Sequence, residues 1–178
     1  DLYLYNRTAP SLWGAHEEFI SAPRLDDLQC AYTSLQGFLQ GSHPQSIQVF
    51  ACFDNEEVGS GTKQGAASTF LYDTLYRIHH HLFQDSEDFY RALANSFMLS
   101  GDNAHAVHPH HVEKTDQDNC VYMNQGVVVK SHAGQKYTSD GLSIAVIKGL
   151  CQKANVSLQF FANRSDAVGG STLGNIAM

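Results

Sequence analysis

Residues 54–57 read Asp-Asn-Glu-Glu, three carboxylates in four positions, and they follow directly on the apolar run IQVFACF at 47–53. Like charges this close repel, and a carboxylate beside a low-dielectric interior is costly unless a cation compensates it. Two further acids occupy comparable places. Asp102 follows the short apolar stretch at 97–99, and Asp26 opens the helical pattern that comes after APRL at 22–25. Carboxylates converging from separate loops destabilise one another unless a divalent ion neutralises them, and carboxylate mixed with imidazole suits zinc, cobalt or manganese. If one acid bridges two ions, further acids and histidines cap each of them, and one more carboxylate is available as a base on a bridging water. Taken singly, each acidic motif also reads as a helix cap or a solvated loop. Their coincidence at one sheet edge favours the metal.

The elements that must hold these acids follow from periodicity. An alternating stretch at 1–6 predicts a half-exposed strand, and 7–20, with Pro10 and Gly14, a loop. Leu28, Ala31, Leu35 and Leu39 recur at helical spacing after Asp26, with acids in the first turn and Gly41 at the end. A strand is predicted at 47–53, helices at 66–83 and 86–96, a short strand at 97–99, a strand at 126–132, a helix at 139–155 and a last strand at 157–163. Strands alternating with helices predict an α/β fold with a mainly parallel central sheet and helices on both faces. In such folds ligands bind beyond the carboxyl ends of the strands, where the acidic motifs fall.

The 178 residues, 43% hydrophobic and 16% charged, suit one domain. A net charge of -7 and a pI near 5.7 argue against a nucleic-acid surface. No apolar run approaches the roughly 20 residues needed to span a bilayer, and residues 1–20 have no secretory leader pattern. Cys30, Cys52, Cys120 and Cys151 form no CxxC pair. They read as reduced thiols, and the expected location is the cytoplasm. Asp1 in place of Met, and a chain stopping just after a Gly-rich turn, suggest a piece of a longer protein.

The segments SAPRLDDL (21–28), FDNEEVGS (53–60) and SGDNAHAVHP (100–109) resemble, in order and spacing, three signatures of the aspartyl aminopeptidase family. These are tetrahedral, twelve-subunit metalloaminopeptidases that also include the yeast vacuolar aminopeptidase. The likeness continues through GVVVKSHAGQKYTSDG (126–141) and GGSTLGNI (169–176). The resemblance implies a zinc-exopeptidase-like catalytic domain, peptide substrates, a homo-oligomer, and two divalent ions, zinc first, with cobalt or manganese as alternatives. It assigns Asp26 as the bridging ligand, Glu57 as ligand of one ion and Asp102 as ligand of the other. Glu56 matches the general base that takes a proton from the bridging water and passes it to the leaving amine. Asp54 is left with a structural part in the loop. His105, Lys130 and Tyr137 match positions lining the substrate pocket, and Gly169, Gly170 and Ser171 lie in a turn near the substrate backbone.

The chain departs from the family pattern at a few places. Asp27 stands where Asn is common, SGDNAH replaces Ser-Ala-Asp-Met-Ala-His, and His110 replaces an Asn. By the resemblance, two further histidine ligands belong to segments before Asp1 and after Met178, and residues 1–20 are the return from an inserted domain, with 21–178 part of the catalytic domain. His79, His80 and His81 are consecutive in a helix and point in different directions, which disfavours a metal role. His108, His110 and His111 lie closer to Asp102, although the family's ligands lie elsewhere. Rival readings are an inactive or incomplete metal-binding or assembly module, and another co-catalytic metallohydrolase such as a deacylase. The preferred N-terminal residue, acidic or neutral, is not fixed by the sequence.

Overall fold

The structure, a computed structural model, describes residues 2–164, 166, 173 and 176. The chain divides into two units: the stretch through Cys52 together with Ser100–Asn103, and the remainder from Phe53 onward.

In the first unit, β1 (Ser11–Trp13) and β2 (Phe19–Ser21) form an antiparallel hairpin, with Trp13 opposite Phe19. Their rings stack at 4.6 Å, the cross-strand aromatic pair that stabilises such short ladders. This hairpin lies inside the segment expected to be loop. The strand expected at 1–6 is absent from the described part of it: residues 2–10 join no ladder, and Leu2 and Leu4 are fully exposed. Alternation signals a half-buried surface, but a strand also needs a hydrogen-bonding neighbour, and the Trp13–Phe19 pair provides one only to the hairpin.

Helix α1 (Leu25–Gln40) follows the expected boundaries. Arg24 is left-handed, Asp26 and Asp27 have non-helical backbone angles, and the peptide bond between them is cis. Both acids lie at the amino end, where the exposed N–H groups and helix dipole favour negative charge. The helix closes at Gly41, whose N–H donates to Gly37 O at 2.9 Å.

The strands expected at 47–53 and 97–99 form no ladder among the described residues. Ile47 and Val49 are 85% and 53% exposed. An apolar run specifies surface to be covered without specifying the neighbour whose backbone groups would pair with it.

In the second unit, α2 (Phe70–Phe83) and α3 (Ser86–Ala94) form a helical hairpin around Phe89. The Phe89 ring, 4% exposed, meets Tyr72, Tyr76 and His79 of α2 at 5.5, 5.3 and 5.5 Å. Helix α2 starts later than the sequence suggests because residues 66–69 are held in turns, with Ala67 N–H donating to Ser60 O and Ser68 N–H to Gly65 O. After a short 3-10 turn at Val112–Lys114, β3 (Val127–Ser131), α4 (Gly141–Ala154) and β4 (Leu158–Ala162) make a βαβ unit. The two strands are parallel, with Val127 opposite Leu158 and Lys130 opposite Phe161. A parallel pair requires such a crossover. The helix begins with a reciprocal capping box between Asp140 and Ser143 and ends at left-handed Asn155. Val129 and Phe161 from the strands, with Ala66, Phe89 and Val121, are the buried apolar residues among those described. The fold is α/β with a small parallel sheet.

Candidate metal centre and substrate pocket

The first unit brings together carboxylates that are remote in sequence. Asp26, Asp27 and Asp102 each offer an oxygen, and these oxygens lie within 4.8 Å of one another. Asp26 and Asp27 come from the non-helical start of α1 and Asp102 from the segment Ser100–Asn103. Three acidic oxygens at this separation fit a divalent cation, which offsets the repulsion that they otherwise suffer. Sequence reasoning singled out Asp26 and Asp102. Asp27 was read only as an added charge, although the Asp-Asp doublet was the available signal that two acids share this turn.

Glu56 and Glu57 belong to the second unit, on a loop that is closely hydrogen-bonded to itself. Asp54 Oδ1 accepts from Asn55 N–H at 2.7 Å, and Asp54 N–H donates to Gln64 O at 3.3 Å. Asn55, left-handed, donates through Nδ2 to Thr62 Oγ1 at 3.2 Å and Gln64 Oε1 at 3.3 Å, while its carbonyl accepts from Gly59 N–H at 2.8 Å. Gly65 allows the loop to close: a Cβ there would lie 2.3 Å from Ser60 O. Asp54 thus has a structural part, and Glu56 and Glu57 stand exposed on the finished loop.

His105, Lys130 and Tyr137 are linked in the second unit. The His105 ring meets buried Phe161 edge-on at 5.1 Å, and Phe161 lies opposite Lys130 in the parallel ladder. Lys130 Nζ stands 5.6 Å from the Tyr137 ring centre, and His132 meets the same ring edge-on at 6.2 Å. Sequence reasoning missed His132, which directly follows β3, and Phe161, which lies in β4. Gly169, Gly170 and Ser171 lie outside the described residues.

Several other histidines have local partners. His79 Nε2 lies 2.7 Å from Asp85 O, joining the end of α2 to the start of α3. His108 and His111 rings are 5.1 Å apart, and His111 Nδ1 lies 3.2 Å from Glu113 Oε1. Glu113's own backbone N–H, and then His111, hold its carboxyl below the usual range. Among the described residues no helix is long and apolar enough to cross a membrane.

A family model described as "Aminopeptidase I zinc metalloprotease (M18)" matches residues 1–178. The chain is 50% identical to a probable M18 family aminopeptidase 2 from Clostridium novyi over 99% of its own length and 41% of that protein. It is 37% identical to aspartyl aminopeptidase 1 of Schizosaccharomyces pombe over 98% of its length and 38% of that protein. A crystal structure of an M18-family aminopeptidase from Thermotoga maritima superposes with a TM-score of 0.82 at 28% identity, covering 96% of this chain and 39% of that one. The chain therefore spans about two fifths of the length of the curated relatives it matches. With a family model running its full length and its acidic segments in the expected order, the chain belongs to the M18 family of zinc aminopeptidases.

Proposed function

We propose that this chain forms part of a dinuclear metalloaminopeptidase that removes the N-terminal residue of peptides. The observation carrying the proposal is the approach of Asp26 and Asp102, remote in sequence, to within 4.8 Å at their carboxylate oxygens. In this reading residues 21–178 contribute to a zinc-exopeptidase-like domain with a parallel central sheet covered by helices on both faces, and residues 1–20 return from an inserted domain. Asp26 would be the ligand shared by two ions, Glu57 and Asp102 would each be a ligand of one, and zinc is the favoured ion. Ions held there supply Lewis acidity for amide hydrolysis. Glu56, anchored by the Asp54–Asn55 turn, takes the proton from the attacking water and delivers it to the leaving amine. Lys130 and Tyr137, held together by their cation–π contact, and His105, seated on Phe161, form a wall of the substrate pocket, with Gly169 and Gly170 near the substrate backbone. The enzyme is a cytoplasmic homo-oligomer, a dodecamer by family resemblance.

The test uses the full-length protein: metal content per chain, and release of N-terminal residues from peptides before and after chelation. Two zinc ions per chain and chelator-sensitive activity are expected. Undiminished hydrolysis in metal-free protein would overturn the proposal.

A further inference from the structure

Asn103, the residue after Asp102, makes two long-range hydrogen bonds to α1. Its Nδ2 donates to Leu25 O at 3.0 Å, and its Oδ1 lies 2.8 Å from Cys30 Sγ. The Leu25 carbonyl only accepts, so the amide nitrogen faces it. The amide oxygen then faces Cys30, and the thiol is the donor. Leu25 is the residue before Asp26. The Leu25–Asn103 bond therefore joins the neighbours of Asp26 and Asp102, and Cys30 lies one turn farther along α1. A third contact lies alongside: a Cβ on Gly101 would stand 3.1 Å from Ser34 Oγ and 3.7 Å from Cys30 Cβ, so the segment lies close against the helix.

We infer that Asn103, with Cys30 as its partner, is a positioning residue that sets the separation of Asp26 and Asp102. The inference rests on the proposed metal role of those two acids. Their mutual repulsion pushes the loop and helix apart, and a restraint on the backbone near the acids opposes it. Neither Asn103 nor Cys30 needs to touch the ion. They act by holding the ligands at a spacing that an ion can bridge, so that less of the binding energy is spent on gathering them.

The experiment measures zinc affinity of the full-length protein by competition with a chromophoric chelator, alongside kcat, KM and the melting temperature of the metal-free form. Asn103→Leu removes both hydrogen bonds at similar size, and zinc binding is expected to weaken about 10–100-fold, the range for groups that orient ligands. Cys30→Ala is expected to cause a smaller loss. Cys30→Ser, whose hydroxyl restores a donor, is expected to bind zinc within a few-fold of wild type. KM is expected to stay near wild type in all three. Wild-type zinc affinity in Asn103→Leu overturns the inference, even if its metal-free form melts lower. If Asn103→Leu does not fold, equal zinc affinity of the Ala and Ser variants at Cys30 overturns it instead. Asp26→Asn is the control for the underlying reading. Unchanged zinc binding in that variant refutes the metal site itself, whereas loss there with no effect at Asn103 refutes only the positioning role.

Discussion

Replacing Asp27 by Asn tests whether the three aspartates are held as a mutually repelling group. At 4.8 Å, the limit within which their oxygens lie, one pair of unit charges repels by about 0.9 kcal/mol in a water-like dielectric and about 3.5 kcal/mol at an effective value near 20. Asp27→Asn removes two of the three pairs, a relief of about 2 to 7 kcal/mol between those limits. Asp26 is exposed and Asp27 half-buried, which places the relief at the lower end. Loss of one negative charge at the start of α1 returns about 0.3–1 kcal/mol of helix-dipole interaction. The net expectation is a metal-free protein stabilised by about 1–2 kcal/mol, or a few degrees in melting temperature. The sign reverses with metal. A dication among these oxygens loses the attraction of the removed carboxylate, so zinc affinity is expected to fall. Thermal melts with and without chelator, with a zinc titration, read both effects on the full-length protein. A variant that melts no higher than wild type in chelator would show that the carboxylates do not repel as a group, and the electrostatic argument for a cation at this site would fall with it.

Glu56→Gln preserves side-chain size and removes the proton-accepting charge; turnover is expected to fall about 10²–10⁴-fold with zinc content unchanged, and near wild-type turnover would eliminate Glu56 as the base. Gly65→Ala places a Cβ against the Ser60 carbonyl at 2.3 Å, with backbone on both sides of the clash. The loop must shift, so kcat is expected to fall while the far-UV circular dichroism of the helices is kept, and unaltered kcat would mean that the loop's shape does not set the position of Glu56. The Ser143 side chain and then its backbone N–H hold the Asp140 carboxyl below the usual carboxylate range. A depressed folded value means that this cap contributes fully above the unfolded value of about 3.9 and loses its contribution as pH falls through the folded one. Asp140→Asn is therefore expected to flatten the stability profile below about pH 4, and a profile identical to wild type in acid denaturation would contradict the assignment.

The sequence made the second unit legible because its elements carry local signals. Asp140 and Ser143 form a cap that depends on three consecutive peptide units, Asn155 ends α4 in a conformation that Asn tolerates, and the Val-rich and Phe-rich runs around α4 pair in parallel as a βαβ pattern requires. The hairpin at β1 and β2 was hidden because its strands have three residues each, too short for alternation to register, and its Pro10 and Gly14 are ordinary loop residues. At 47–53 the apolar run was visible and the ladder was not, since the neighbour that pairs with a strand is a property of the fold rather than of the run. The same limit applies to the aspartate cluster. Acids at 26 and 102 could be named one by one, but the amide of Asn103 reaching Leu25 and Cys30 is a contact across more than seventy residues that no spacing rule encodes.

The run of carboxylates at 54–57 divides by what the loop does with each side chain. Asp54 is occupied by the backbone N–H of Asn55, so its charge serves the turn. Asn55 takes a left-handed conformation and spends its amide on Thr62 and Gln64, which ties the start of the loop to its far side. Thr62 in turn donates to Gly59 O at 2.8 Å, and Ala67 N–H returns to Ser60 O at 2.9 Å. The backbone on either side of Glu56 and Glu57 is thereby held by hydrogen bonds of these neighbouring residues. In the proposed site one carboxylate holds an ion and its neighbour moves a proton, and a loop closed by its own hydrogen bonds presents both on fixed backbone. Three acids in four residues are then one that caps the turn and two exposed on it, where the proposed ligand and base would stand side by side.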